Sequence, residues 1–291
     1  MKKLMTLVLA LALVLSLAAC GGTGNNTADN TANNTANNTT NNTADTTGDT
    51  DAADTGDATF TTVEEGKLHM STNAQFPPYE MTTDDGGFEG IDVEIAEAIA
   101  GKLGLELVVD DMAFNSALTA AQTGQSDMVM AGVTVNEDRL EVMDFSDTYA
   151  TGVQVVIVTE DSPIQTIDDL ANAEMIGCQA DTTGYIFCSY PPEEGGYGED
   201  HVTAYDNGAL AVMALINGQV DAVVIDNAPA QEFVKANEGL KILDTEFAVE
   251  DYAIGFAKGN TALKDAVNAA LKELIEDGTV QSIIDKYIPA E

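Results

Sequence analysis

Ala121-Gln122-Thr123-Gly124-Gln125-Ser126-Asp127-Met128-Val129-Met130-Ala131-Gly132 is echoed later in the chain by Leu215-Ile216-Asn217-Gly218-Gln219-Val220-Asp221-Ala222-Val223-Val224-Ile225-Asp226. In both stretches a helical pattern stops at a glycine, an aspartate follows three residues on, and an apolar run leads to a short terminal residue. A chain that uses this unit twice is expected to build two lobes of like construction. The strand ends, Gly132 and Asp226, then belong at the carboxyl edges of their sheets, where open α/β folds receive ligands.

The remaining pattern agrees. Leu68 to Asn73 predicts a strand, Asp92 to Leu103 a helix with Ile91, Ile95, Ile99 and Leu103 on one face, and Leu105 to Val109 the next strand. Ser116 to Thr123 predicts a helix and Asp127 to Ala131 a strand. Beyond them come helix Ile167 to Ala173, strand Met175 to Gln179, helices Tyr185 to Ser189 and Gly208 to Ile216, strand Ala222 to Ile225 and helix Ala228 to Lys235. Such alternation predicts an α/β fold with open, mostly parallel sheets flanked by helices.

The ends of the chain read differently. Met1-Lys2-Lys3 and an apolar run from Leu4 to Ala19 have the form of an export signal, too short for a comfortable membrane span. Leu17-Ala18-Ala19-Cys20 resembles the bacterial lipobox, which implies cleavage before a lipidated Cys20 and an extracytoplasmic, membrane-tethered chain. Residues 20–58 are almost wholly Gly, Asn, Thr, Asp and Ala, so they are expected to form a flexible stalk without a core.

Composition excludes some partners. With 11 Lys plus Arg against 49 Asp plus Glu, the formal charge is −38, and nucleic acid and anionic membrane surfaces are unsuitable. The two histidines, His69 and His201, stand apart, so no metal site is expected. No dinucleotide or phosphate-binding glycine loop and no nucleophile elbow occurs, and no cofactor is expected. Cys178 and Cys188 are either bridged, as an exported chain allows, or two separately buried thiols.

Arg139, the single arginine, lies just after Asn136, a candidate helix cap, which puts a cation in a first turn where the helix dipole disfavours it. A guanidinium there either grips a ligand carboxylate through paired hydrogen bonds or pairs with Glu137 or Asp138. Ala180-Asp181-Thr182-Thr183-Gly184 opens a helix, with hydroxyls and amides suited to an anion or to plain capping. Asp226 is either an ammonium acceptor or a solvated loop acid. Phe76, Tyr79 and Phe114 are aromatics in loop-like settings.

From Leu68 to Ile288 the chain resembles the amino-acid class of periplasmic-type solute-binding proteins, the partners of polar amino-acid ABC transporters. The resemblance rests on Asn73-Ala74-Gln75-Phe76-Pro77-Pro78-Tyr79-Glu80, Gly90-Ile91-Asp92-Val93-Glu94-Ile95-Ala96, Ala131-Gly132-Val133-Thr134 with Arg139, Asp144-Phe145-Ser146, Thr182-Thr183-Gly184 and Asp221 to Asp226. It implies the two-lobed periplasmic-binding-protein-like fold with two hinge crossings, near Tyr149 to Val155 and Phe247 to Ala253. The lobes would then comprise 59–152 plus 248–291 and 153–247, after a signal peptide at 1–19.

The resemblance also assigns roles. Arg139, Thr134, Thr182 and Thr183 would hold a ligand α-carboxylate. The Gly132 carbonyl and Asp226 would hold the α-ammonium, while Phe76 and Phe114 sandwich the side chain. Asn73 stands where basic-amino-acid binders of the family often carry aspartate, which favours glutamine or another neutral polar ligand. The implied function is capture of a polar amino acid for a permease by a monomeric lipoprotein. A cyclohexadienyl-dehydratase-like enzyme and a ligand-presenting sensor are the alternatives.

Overall fold

The computed structural model describes residues 60–244 and 246–289. The expected signal peptide, the lipidation site Cys20 and the stalk lie outside the described residues.

In chain order the elements are β1 (Lys67–Thr72), β2 (Gln75–Phe76), β3 (Glu80–Thr82), β4 (Phe88–Glu89), α1 (Ile91–Leu103), β5 (Glu106–Asp111), α2 (Phe114–Gln122), β6 (Met128–Val129), α3 (Glu137–Val142) and β7 (Met143–Thr159). They continue with β8 (Ile176–Gln179), α4 (Thr183–Ser189), β9 (Val202–Tyr205), α5 (Gly208–Ile216), β10 (Ala222–Asp226), α6 (Asn227–Ala236), β11 (Leu240–Ile242), β12 (Ala248–Ala257), α7 (Thr261–Glu276) and α8 (Thr279–Tyr287). The segment expected as a helix from Ile167 to Ala173 is a 3₁₀ turn over Ile167–Asn172. Its capping box of Thr166 and Asp169, with bonds three residues apart, closes the segment before an α ladder can propagate.

The main sheet runs β5-β1-β6-β12-β7-β10-β8-β9, with β11 added on β7. The β5, β1 and β6 strands are parallel at one end, as are β10, β8 and β9 at the other. The long antiparallel pair β7 and β12 joins the two sets, so the lobes share one hydrogen-bonded sheet rather than holding two separate ones. A small antiparallel sheet, β2-β3-β4, sits apart from it.

Each lobe has its own core. In the first, Leu68 and Met70 of β1 pack with Ile91, Ile95 and Ile99 of α1, with Tyr252 and Phe256 of β12, and with Leu271 of α7. In the second, Val223 and Ile225 of β10 pack with Val155, Ile157, Val212 and Leu215. Full burial of such aliphatic side chains is worth about 1.5–3 kcal/mol each. Cys178 and Cys188 lie fully buried in a further cluster of this lobe, as free thiols.

The sequence echo has a physical cause. Gly124 and Gly218 terminate α2 and α5 with φ of 70° and 66°, a left-handed conformation that glycine adopts without a Cβ clash. The aspartate three residues on then ties its strand to a neighbour. Asp127 accepts the amides of Val63 and His69, each at 2.8 Å, and Asp221 accepts those of Glu174 and Met175, at 2.6 and 3.1 Å. Both units solve the same problem, turning a helix back into a parallel strand, in the same way.

Candidate functional site

Asn136 caps α3, its side-chain oxygen accepting the Arg139 amide at 2.8 Å. The cap turns the Arg139 side chain inward, where it is 7% exposed. Its Nη1 donates to the Thr134 carbonyl at 2.8 Å and its Nη2 to the Asp181 carbonyl at 3.2 Å, while Cζ lies 5.5 Å from the centre of the Phe114 ring. Glu137 and Asp138, the local acids considered from sequence, are not among these partners. Burial lowers the guanidinium pKa to about 10, opposed by the charges of Glu250, Asp181 and Asp226, so the group stays cationic at neutral pH. A buried cation held by carbonyls and an aromatic face is short of a counter-ion.

Opposite it, β10 ends at Asp226, which is buried. Gln154 of β7 donates its amide to Asp226 at 2.8 Å and reaches Glu250 of β12 at 3.3 Å. The Tyr252 hydroxyl donates to the other Asp226 oxygen. That ring crosses β7 at Gly152, where a Cβ would sit 2.3 Å from the Tyr252 hydroxyl, so only glycine lets it through. Glu250 also accepts the Thr134 hydroxyl at 2.9 Å. Burial and the nearby Glu250 push the Asp226 carboxyl well above its ordinary range.

Gly132 is held by Asp92 at the start of α1, whose Oδ2 accepts the Gly132 amide at 3.0 Å and whose Oδ1 accepts the Tyr149 hydroxyl at 2.8 Å. Burial raises Asp92 to about 6, with those two bonds and a third from the Glu80 side chain pulling the other way. Gly132 has φ 54°, and a Cβ there would lie 2.9 Å from the Phe76 ring. Glycine is therefore required for both the backbone and the contact.

On the second lobe, Gln179 closes β8 and its side chain donates to Asn73 Oδ1 at 3.1 Å. Asn73 in turn donates to the Met112 carbonyl at 2.9 Å. Thr182 caps α4, accepting the Tyr185 amide at 3.4 Å and donating to the Gln179 carbonyl at 2.8 Å, so the capping role weighed from sequence is real. Gly184 gives α4 room, since a Cβ would lie 2.9 Å from Gln154 Oε1.

All nine residues singled out from sequence, Asn73, Phe76, Phe114, Gly132, Thr134, Arg139, Thr182, Thr183 and Asp226, line one cleft, joined by Glu80, Ala131 and Gln179. The walls stand close, leaving a volume of about 20 Å³. A wider groove of about 690 Å³ beside Thr159 and Asp221 lacks such convergence, and its Asp169 and Asp221 are occupied by backbone amides. Among the described residues no group of His, Cys, Asp and Glu is arranged to hold a metal ion.

Several residues that line the cleft or hold its walls escaped the sequence reading. Glu80 and Asp92 stood inside quoted motifs without a role. Gln179 was taken as a plain strand end, although it directly precedes the Ala180 to Gly184 turn. Gln154 and Glu250 lie within long strands and carry no local signal, because only the antiparallel pairing of β7 and β12 brings them beside Asp226.

Known proteins share this architecture. Residues 68–290 match the family described as bacterial extracellular solute-binding proteins, family 3. A probable histidine-binding protein of Neisseria gonorrhoeae is 31% identical over 239 residues, 81% of this chain and 88% of that protein. The arginine-binding extracellular protein ArtP of Bacillus subtilis is 33% identical over 231 residues, 77% of this chain and 87% of that protein. Among solved structures, an ancestral arginine-binding protein bound to glutamine superposes with a TM-score of 0.71 at 35% identity, covering 78% of this chain and all of that one. With its two lobes on a shared sheet, a cleft between them and a family match across nearly the whole folded part, the chain belongs to the bacterial extracellular solute-binding proteins, family 3.

Proposed function

We propose that this chain captures a polar amino acid in the cleft between its lobes and presents it to the permease of an ABC importer. The observation that carries this reading is the pairing of a buried guanidinium lacking a carboxylate, Arg139, with a buried acid across the same cleft, Asp226. A zwitterion supplies an opposite charge to each. Its α-carboxylate is gripped by Arg139 with Thr134, Thr182 and Thr183, and its α-ammonium by the Gly132 carbonyl and Asp226. Phe76 and Phe114 flank the side chain, near Asn73. Histidine- and arginine-binding relatives, and an ancestral protein holding glutamine, support an amino-acid ligand.

In this reading residues 59–152 plus 248–291 form one lobe and 153–247 the other. Ligand contacts both lobes, favours the closed arrangement by its differential affinity, and so marks the loaded protein for the permease. A signal peptide at 1–19, lipidation of Cys20 and a stalk at 20–58 would hold a monomer outside the membrane. No helix among the described residues is long and apolar enough to cross a membrane.

A thermal-shift screen against the common amino acids tests the function, since a ligand that binds only the folded state raises the unfolding midpoint by mass action. A screen in which no amino acid moves the midpoint overturns it. A dehydratase-like reading has one feature in its favour, the raised pKa of Asp226, suited to a general acid. Chromatography of the recovered ligand separates the two readings: unchanged amino acid supports capture, and a turnover product supports the enzyme.

A further inference from the structure

Asp226 closes β10 and stands at the N-cap of α6, yet its side chain caps nothing. Pro229, three residues on, lacks one of the two amides that such a cap would take. Both carboxylate oxygens are held from elsewhere instead. Gln154 of β7 donates to Oδ2, and the Tyr252 hydroxyl of β12 donates to Oδ1. The two strands that join the lobes thus decide where this carboxylate points, and neither donor is a neighbour of Asp226 in the chain.

Of the two donors, Gln154 is divided, since its amide also reaches Glu250 at 3.3 Å. Tyr252 is committed. Its fully buried ring fills the space left by Gly152 and stands edge-on to Tyr79, the ring centres 5.3 Å apart at 74°, and Tyr79 stacks on Phe76 at 5.7 Å. The backbone is fixed as well. Tyr252 bridges Thr134, and on either side the Val135 amide donates to the Asp251 carbonyl at 3.0 Å and the Ala253 amide to the Val133 carbonyl at 3.1 Å. One residue therefore spans from the Gly132 to Thr134 segment, on the carboxylate side of the cleft, to the acid on the ammonium side. A buried tyrosine hydroxyl needs some partner, and many acceptors would serve. The partner here is the one acid placed to receive an α-ammonium.

We propose that Tyr252 is a positioning residue for the ammonium side of the cleft: it holds the Asp226 carboxylate toward the ligand and at a set distance from Thr134, which makes an α-ammonium a requirement for binding. The inference rests on the amino-acid-capture reading and adds the residue that enforces it. An ammonium needs Asp226 ionised as well as aimed. Burial and Glu250 oppose ionisation, whereas a hydroxyl that donates to the charged form favours it. Without that hydroxyl, Asp226 is free to turn onto the Ala228 amide or to keep a proton, and either leaves the ammonium without its acceptor.

Titration calorimetry on the full chain, with L-glutamine, L-arginine and L-histidine beside their analogues without the α-amino group, glutaramate, deaminoarginine and imidazolepropionate, tests the proposal. Weak analogues are read by competition. For the amino acid that binds best, Tyr252→Phe is expected to weaken binding by at least about tenfold, the value of a hydrogen bond to a charged group, and to change its analogue by less than about twofold. A tyrosine that only supports the fold would weaken both alike. Equal losses for the two, or no loss for the amino acid, overturn the proposal, as does a wild-type chain that binds the analogue as tightly as the amino acid. If Tyr252→Phe folds poorly by circular dichroism, Gly152→Ala takes its place: its Cβ would lie 2.3 Å from the Tyr252 hydroxyl, which displaces that group without removing it, and the same selective loss is expected. A wild-type chain that binds none of the three amino acids sinks the capture reading itself, whereas unchanged discrimination in the variants sinks only the role of Tyr252.

Discussion

Gln179 donates its side-chain amide to Asn73 Oδ1 at 3.1 Å, tying the carboxyl end of β8 in one lobe to the residue that follows β1 in the other. Both side chains are buried, and a second bridge runs from Asn207, the cap of α5, to Gln75 of β2 at 2.7 Å. The closed arrangement is therefore held in part by the protein's own amides, across the same gap that a ligand spans.

Gln179→Ala leaves the Asn73 oxygen buried without its donor, a loss of about 1–3 kcal/mol that falls on the closed form. Small-angle scattering of the ligand-free variant is expected to show a larger radius of gyration than wild type. An unchanged radius would mean that the amide pair contributes nothing to closure.

Arg139→Ala is expected to weaken amino-acid binding by about 2–5 kcal/mol, since the ligand carboxylate would be buried unpaired. Arg139→Lys should recover little of this, because a lysine cannot donate to the Thr134 and Asp181 carbonyls while presenting two parallel donors to a carboxylate. Calorimetry reads both variants, and circular dichroism confirms that they are folded.

Asp92 supplies a pH dependence of stability. Its carboxyl is raised from 3.8 to about 6 in the folded chain, so its contribution is complete below about pH 4 and is lost as pH rises through about 6. The difference corresponds to about 3 kcal/mol. The ligand-free unfolding midpoint should fall across that window, and Asp92→Asn should remove the part of the fall that Asp92 contributes between about pH 4 and 6. The same variant alters the group that holds the Gly132 amide, so its amino-acid affinity is expected to drop as well.

Asp127 and Asp221 do equivalent work in the two lobes, and each substitution to alanine strands two backbone amides. Asp127→Ala is expected to cost about 1–3 kcal/mol in denaturant unfolding, and Asp221→Ala less, because Asp221 is exposed and water can take the place of its carboxylate. Because the two sites are far apart in the sheet and share no partner, the costs should add.

The sequence carried those parts of the molecule that depend on local order. The helix stops at Gly124 and Gly218, the apolar face of α1 and the strand ending at Asp226 all follow from short-range chemistry, and the two-lobed plan followed from their repetition. The cleft walls were legible where a motif concentrated them, as at Asn73 to Glu80 and Ala131 to Arg139. What stayed hidden depends on pairing over long separations. Gln154 and Glu250 are 96 residues apart, and no periodicity announces that they share a carboxylate's neighbourhood. Glu80 was given no role for a different reason: full burial beside Asp92 and Asp226 is a property of the folded site, invisible in a run of residue types.

The pairing of β7 with β12 slips register between Tyr252 and Ala253 and again between Ala253 and Gly255. A register slip of this kind disrupts the ladder locally, bends the strand and strengthens its twist. Tyr252, which flanks the first slip, also carries the hydroxyl that rests on Asp226. The bend in the frame is thus in direct touch with the acid at the heart of the cleft, with no intervening relay between them.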